Sequence, residues 1–163
     1  MALKLTQGAD YAIRAMIHIA SLPDGRWAMR REIAQAQRVP TDFVAKILQS
    51  LVHAGLLNSH RGSGGGFRLA LPRNEINLLS IVEAIDGPLA VVACSSPDGG
   101  ECDHAALCPV DKVWRQVQLG IAAVLEQATL ESLVGSRGRA ESGRSAPQAG
   151  RKARTVKTRK ASE

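Results

Sequence analysis

The chain has 163 residues, of which 45% are hydrophobic and 3% aromatic, so it can form one domain with a mostly aliphatic core. It has no run of roughly 18 apolar residues and no signal-like start, which argues against a membrane span or export and favours a cytoplasmic location. The net charge of +6 is unevenly spread: residues 1–73 hold ten Lys/Arg against four Asp/Glu, residues 74–135 two against nine, and residues 136–163 nine against two. The N-terminal segment is therefore basic in its own right, which is typical of a surface that binds phosphates.

The first 73 residues predict three helices followed by a β-hairpin. Apolar residues recur at helical spacing behind Thr6, a plausible N-cap, and the turn residues around Gly25 end this first helix. The predicted elements are helices over residues 6–22 and 30–37, a third helix from Pro40 or Thr41 to a stop at Gly55, and strands over 56–61 and 67–71. The predicted apolar face of the third helix consists of Phe43, Val44, Ile47, Leu48, Leu51 and Val52. This order predicts a winged helix-turn-helix, a mainly α fold with a small β wing.

The rest of the chain predicts a short helix over residues 80–85, a loop over 88–108 and a long amphipathic helix over 109–128 that starts at Pro109. We expect the long helix to pair with its copy in a homodimer, although it can instead pack on its own domain. The glycine- and arginine-rich end predicts a disordered basic tail, which either adds phosphate contacts or has no role. The predicted organisation is a DNA-binding domain (1–73), a small helix with a cysteine loop (74–108), a dimerisation helix (109–134) and the tail (135–163).

A recognition helix reads the major groove with exposed polar side chains near its N-terminus. The predicted DNA contacts are Arg30 and Arg31 in the second helix, Thr41, Asp42, Lys46 and Gln49 in the third, and Arg61, Ser63 and Arg68 around the glycine turn. Asp42 is negatively charged, which is unexpected in a surface that binds phosphates, but it can cap the helix or accept a hydrogen bond from a cytosine amine. For any single residue, an ordinary solvated charge explains the pattern as well as a DNA contact does; the order of elements favours DNA contact for the set.

All three cysteines, Cys94, Cys102 and Cys108, lie in the predicted loop with seven and five residues between them. An odd number in this chain argues against a disulfide framework, and thiolates suit zinc or an iron–sulfur cluster. The loop lacks the close cysteine pair of a structural zinc site, which favours a larger cluster. Three thiols leave a fourth position for Asp103, His104, Asp111, a partner subunit or a small molecule. The alternative is three free, buried thiols.

Residues 40–71, with the stretch AGLLNSHRGSGGGFRL, resemble the wing signature of the iron–sulfur regulators IscR, NsrR and RirA. Residues 6–20 resemble the first helix of that family, and Val113-Trp114-Arg115 after the cysteine loop also matches, so the resemblance covers about residues 1–134. It implies a homodimer that binds double-stranded DNA. In it Cys94, Cys102 and Cys108 would hold a [2Fe–2S] or [4Fe–4S] cluster that senses nitric oxide, oxygen, redox state or iron.

The same resemblance implies two options for the fourth ligand. IscR-type members use a histidine three residues after the last cysteine, where this chain has Asp111. NsrR-type members use an aspartate in the first helix of the partner subunit, and Asp10 matches that position. The spacing of seven residues after Cys94 is wider than the five usual in IscR and NsrR. The cluster type therefore stays open.

The leading hypothesis is a transcription regulator, acting as a repressor, whose DNA affinity is set by an iron–sulfur cluster. A second hypothesis keeps the DNA-binding dimer but uses the thiols directly as a redox switch. A third is a small metal- or cluster-binding protein whose helix-turn-helix is incidental. An enzyme is not expected, because no nucleophile–base or paired-carboxylate constellation stands out in the sequence.

Overall fold

The computed structural model describes residues 5–62, 64–92 and 108–135. This part of the chain is mainly helical with one small antiparallel sheet, so the predicted fold class is confirmed. The named elements are α1 (Gln7–Ala20), α2 (Arg30–Gln37), α3 (Thr41–His53), β1 (Leu57–His60), β2 (Gly66–Leu69), α4 (Leu78–Asp86) and α5 (Asp111–Gln127).

The ends of the first three helices follow from local sequence. The side chain of Thr6 accepts a hydrogen bond from the Ala9 amide at 3.1 Å, which confirms it as the N-cap of α1. α2 ends at Gln37, and the next residue, Arg38, adopts a left-handed conformation with φ 54°. After α3, Gly55 adopts φ 74°, a conformation that side chains disfavour, and the chain turns there into β1.

The hydrophobic core joins α1, α2 and α3 to α4 and to a return segment after α5. Ile76, Ile81 and Leu130 are fully buried in the same cluster as Met16 and Leu48. The return segment is tied to the start of α4 by backbone hydrogen bonds, from the Leu78 amide to the Ala128 carbonyl (3.0 Å) and from the Leu130 amide to the Ile76 carbonyl (2.9 Å). Helix α1 is thus held between the helix-turn-helix and α4.

β1 and β2 form the wing, which we define as residues 57–69. Leu57 pairs with Leu69 and His60 with Gly66. Ala28 forms an isolated β-bridge beside this two-stranded sheet, since it exchanges two backbone hydrogen bonds with Phe67 at 2.8 and 2.9 Å, and we call this one-residue bridge the third strand. A Cβ atom on Gly66 would lie 2.6 Å from the Ala28 carbonyl oxygen, so glycine permits this close pairing.

α5 begins at Asp111, so the expectation that Pro109 occupies its first position was wrong. The Asp111 amide instead closes a turn on the Cys108 carbonyl at 3.4 Å. None of the residues of α5 is buried. We call Val113, Val117 and Val124, which are 54%, 39% and 68% exposed, the α5 stripe. Within the described ranges, no helix is both long and apolar enough to cross a membrane.

Candidate nucleic-acid interface

Helix α3 presents its predicted DNA contacts together on one face. Thr41, Asp42, Lys46 and Gln49 are all exposed, and at about 100° per residue they span roughly 140° of the helix surface. The opposite face is anchored in the core by Val44, Ile47, Leu48 and Leu51. No side chain caps the N-terminus of α3, so the capping role considered for Asp42 is not seen. The core thus holds α3 while its polar face meets solvent.

An aromatic pair lies beside the start of α3. The rings of Tyr11 and Phe43 meet edge to face, with centroids 5.6 Å apart, and Gln7 Nε2 donates to the Tyr11 hydroxyl at 2.9 Å. Sequence periodicity had placed Phe43 on the apolar face of α3, but its side chain is 39% exposed. It flanks a cavity of about 380 Å³ between α1 and α3, which is also lined by Asp42 and Lys46.

A second groove, of about 330 Å³, separates α3 from the wing. Its lining includes Gln49 and His53 from α3, and His60 and Arg61 from the wing. Arg61 directly follows β1 and is exposed. The structure therefore brings Arg61 to the side of α3 that carries Gln49. Ser63, another predicted wing contact, lies outside the described residues.

The pairing of charges separates the predicted DNA contacts from most other arginines. Four arginines form ion pairs with carboxylates: Arg14 with Asp10 (3.5 Å), Arg26 with Glu32 (2.9 Å), Arg73 with Asp24 (2.5 Å) and Arg115 with Asp111 (2.9 Å). In the described ranges, the cations with no carboxylate oxygen within 4.0 Å are Arg30, Arg31, Lys46, Arg61 and Arg68, together with Arg38 and Lys112. Every predicted cationic DNA contact is in this second group.

Sequence reasoning did not single out Trp27, which lies beside the predicted contact Arg68. Its indole ring lies under the Arg68 guanidinium, whose Cζ is 4.5 Å from the ring centroid, and 5.6 Å from the ring of His60. The Trp27-Ala28 segment is too short to show strand alternation, so periodicity alone does not predict the third strand. The available signal was the small Ala28 between the bulky Trp27 and Met29, which is too little to predict a strand.

Only part of the predicted cluster site can be placed. Cys94 and Cys102, like Asp103 and His104, lie outside the described residues. Cys108 is an unpaired, half-buried thiol. Asp111 accepts from Arg115 Nε at 2.9 Å, and Asp10 pairs with Arg14 on α1. Among the described residues, no group of three or more His, Cys, Asp or Glu side chains is placed to hold a metal ion.

The candidate ligands within the described residues are nevertheless thiol and carboxylate groups, which are suitable ligands for an iron–sulfur cluster. Cys108 is a free thiol three residues before Asp111, whose carboxylate is partly exposed, and Asp10 is exposed on α1. Thiolate ligands with a carboxylate in the remaining position satisfy the preference of iron for such donors. For either aspartate to bind the cluster, its carboxylate would have to leave its ion pair, with Arg14 for Asp10 or with Arg115 for Asp111.

Residues 5–136 match the Rrf2 family, which is described as iron-dependent transcriptional regulators. In sequence, the chain is 35% identical over 136 residues to Rv1287 of Mycobacterium tuberculosis, assigned as an HTH-type transcriptional regulator. The match spans 82% of each protein.

Two solved structures share the fold. The first, T. potens IscR, has a TM-score of 0.67 and 25% sequence identity, over 91% of this chain and 96% of that one. The second, the global cysteine regulator CymR of B. subtilis, also has a TM-score of 0.67, with 24% identity over 83% and 98% of the two chains.

Proposed function

The chain belongs to the Rrf2 family of iron-dependent transcriptional regulators, and from this premise we propose that it is a homodimeric, cytoplasmic repressor. It binds double-stranded DNA through α3 and the wing. Its DNA affinity is controlled by an iron–sulfur cluster held in the cysteine loop, which senses nitric oxide, redox state or iron.

The unpaired cations around α3 carry the DNA-binding part of this proposal. Lys46, Arg61 and Arg68 lie on or beside the exposed face of α3 and in the wing, with no carboxylate within 4.0 Å among the described residues. A cation that already has a carboxylate partner must give it up to bind a phosphate, whereas an unpaired one loses only water. Neutralising phosphates with such cations releases counterions, which drives association with DNA.

The α5 stripe supports the dimer. Burial of its valines in a single protomer is incomplete, and a continuous apolar strip on one helix is typical of a surface that pairs with another chain. Two copies of α5 related by a twofold axis would bury both stripes. The winged helix-turn-helix of each protomer would then bind one of two half-sites on the same duplex.

The cluster would be held by Cys94, Cys102 and Cys108, with Asp111 or Asp10 of the partner subunit as the fourth ligand. When bound, the cluster supplies iron centres that react with nitric oxide or change redox state. Asp10 lies one turn before Arg14, whose guanidinium donates to the Gln37 carbonyl at 2.5 Å, at the turn between α2 and α3. A displacement of the Asp10 side chain can therefore be transmitted through Arg14 to Gln37 in the helix-turn-helix.

DNA binding is tested by fluorescence anisotropy with a labelled 30-base-pair duplex over a series of salt concentrations. We expect Arg61→Gln to weaken binding and to reduce the slope of log K against log salt by about 0.9, the contribution of one phosphate contact. Arg26→Gln is the matched control, because Arg26 is paired with Glu32 and takes no part in the proposed cluster site, and it should bind as the wild type does. Equal affinity of Arg61→Gln and wild type at matched salt would remove the wing from the proposal.

Cluster control is tested on anaerobically purified protein by visible absorbance and Mössbauer spectroscopy, before and after nitric oxide. We expect iron-containing, coloured protein whose spectrum and DNA affinity both change on exposure. Colourless protein containing zinc would contradict cluster sensing and leave DNA binding intact.

The half-buried free thiol of Cys108 supports a second candidate, a regulator that switches by thiol oxidation without a cluster. It predicts that peroxide changes the DNA affinity of metal-free protein. If metal-free protein is insensitive to peroxide, this candidate fails.

A further inference from the structure

The outer face of the wing carries an aromatic side chain, Trp27, that is not among the predicted DNA contacts. Ala28 pairs with Phe67, so the antiparallel register places Trp27 opposite Arg68 on the neighbouring strand. Ala28 is buried and Phe67 packs against the core, whereas Arg68 is exposed. Trp27 and Arg68 therefore share the face of the wing that points away from the core.

Gly66 allows Trp27 to span this face. His60 lies opposite Gly66 on β1, and Gly66 contributes no side chain between His60 and the third strand. The indole of Trp27 covers this gap and reaches the His60 ring, with centroids 5.6 Å apart. An aromatic ring laid across a strand glycine is a recognised way to stabilise a sheet, and it makes Trp27 a rigid surface here.

The Arg68 guanidinium lies over the ring of Trp27, with Cζ 4.5 Å from the ring centroid, which is the distance of a cation–π contact. Arg68 is exposed, and in the described part of the chain no carboxylate lies within 4.0 Å of its N–H groups, so these donors are not taken up by an ion pair. An arginine edge with free donors suits a phosphate, because two N–H groups can bind two oxygens at once.

We propose that Trp27 is a positioning residue that holds the Arg68 guanidinium ready for a backbone phosphate of DNA, with His60 supporting the far edge of the indole. This inference rests on the proposed DNA-binding function. A free arginine loses rotamer freedom when it binds, and the stack removes part of that freedom beforehand. Trp27 thereby strengthens DNA binding although the charge that meets the phosphate belongs to Arg68.

The test is a double-mutant cycle on full-length protein with Trp27→Leu, Arg68→Gln and the double variant, using the same duplex and salt series. We expect Trp27→Leu to weaken binding about three-fold when Arg68 is present, from the usual strength of an exposed cation–π contact. Arg68→Gln should lower the salt slope by about 0.9. In the Arg68→Gln background, Trp27→Leu should cause no further loss.

A purely structural role for Trp27 predicts the opposite pattern, an equal loss in both backgrounds, and that result would overturn the proposal. Trp27→Tyr keeps a ring face beneath Arg68 and should restore most of the affinity. If Arg61→Gln weakens binding while Arg68→Gln does not, this inference fails and the proposed function stands. If wild-type protein does not bind the duplex, the proposed function fails first.

A measurement on wild-type protein covers the case in which Trp27→Leu does not fold. The Nε–H resonance of Arg68 in a ¹⁵N spectrum is assigned by its loss in Arg68→Gln. We expect this resonance to shift when the duplex is added, while that of Arg73, which is paired with Asp24, stays in place. An unshifted Arg68 resonance in DNA-bound protein would overturn the proposal.

Discussion

Replacing Val117 by aspartate puts a carboxylate in the middle of the α5 stripe. At about 100° per residue, Val113, Val117 and Val124 fall within roughly 40° of one another on the helix surface. The proposed dimer buries this strip against its copy, so a twofold axis would bring in the new charge twice. We expect Val117→Asp to convert the dimer into a folded monomer.

The magnitude follows from the exposed fractions. Burying a whole valine side chain is worth about 1.5 kcal/mol, and the stripe is 54%, 39% and 68% exposed at its three positions. Completing its burial therefore contributes about 2.5 kcal/mol per protomer, or about 5 kcal/mol per dimer. Each aspartate removes part of this and adds about 1–3 kcal/mol for a buried carboxylate without a partner. Over the two protomers the dimer should therefore weaken by about 3–7 kcal/mol, which is at least about 100-fold in Kd.

Sedimentation velocity over a wide range of protein concentrations measures this shift. Leu119→Asp is the matched control, because Leu119 is apolar and 69% exposed but lies about 240° around α5 from Val113. It introduces the same charge and should leave the dimer intact. A Val117→Asp protein that remains dimeric would refute the assignment of the stripe. Equal dissociation of both variants would show that the effect is not specific to the stripe.

Three further predictions concern stability and the cluster. Gly66→Ala should lower the free energy of unfolding by about 1–3 kcal/mol, because its Cβ would lie 2.6 Å from the Ala28 carbonyl oxygen; an unchanged thermal midpoint would contradict the close pairing. Thr6→Ala should cost about 1 kcal/mol in chemical unfolding by removing the hydrogen bond to the Ala9 amide, whereas Thr6→Ser should keep it. Cys102→Ala should abolish cluster absorbance while the protein stays dimeric, and a variant with full colour would exclude Cys102 as a ligand.

Local signals in the sequence were sufficient for the helix-turn-helix. Residues 30–37 were predicted as the second helix and form α2 over the same residues. The cap at Thr6 and the stop at Gly55 were also predicted, because caps and stops depend on one or two neighbouring residues. The polar face of α3 followed from helical periodicity, which assigns each residue to a side of the helix.

Phe43 and Pro109 show where this reasoning failed. Periodicity put Phe43 among the core residues of α3, but Tyr11 of α1 holds its ring at the edge of the core, where it stays 39% exposed. Pro109 suits the first position of a helix, yet a turn closed on Cys108 delays α5 until Asp111. For Phe43 the outcome depended on a contact with another helix, and for Pro109 on a local turn that the helix-start signal of proline did not predict.

The sequence by itself determined the order of the elements, the basic character of residues 1–73 and which side of α3 is polar, since these depend on composition and on spacing along the chain. Tertiary structure decided that Arg73 is neutralised, because its ion pair with Asp24 joins residues far apart in sequence, whereas the Arg14–Asp10 and Arg115–Asp111 pairs each lie within one helix. It also decided that Trp27 meets Arg68. That contact needs a third strand, which long-range backbone hydrogen bonds to Phe67 create.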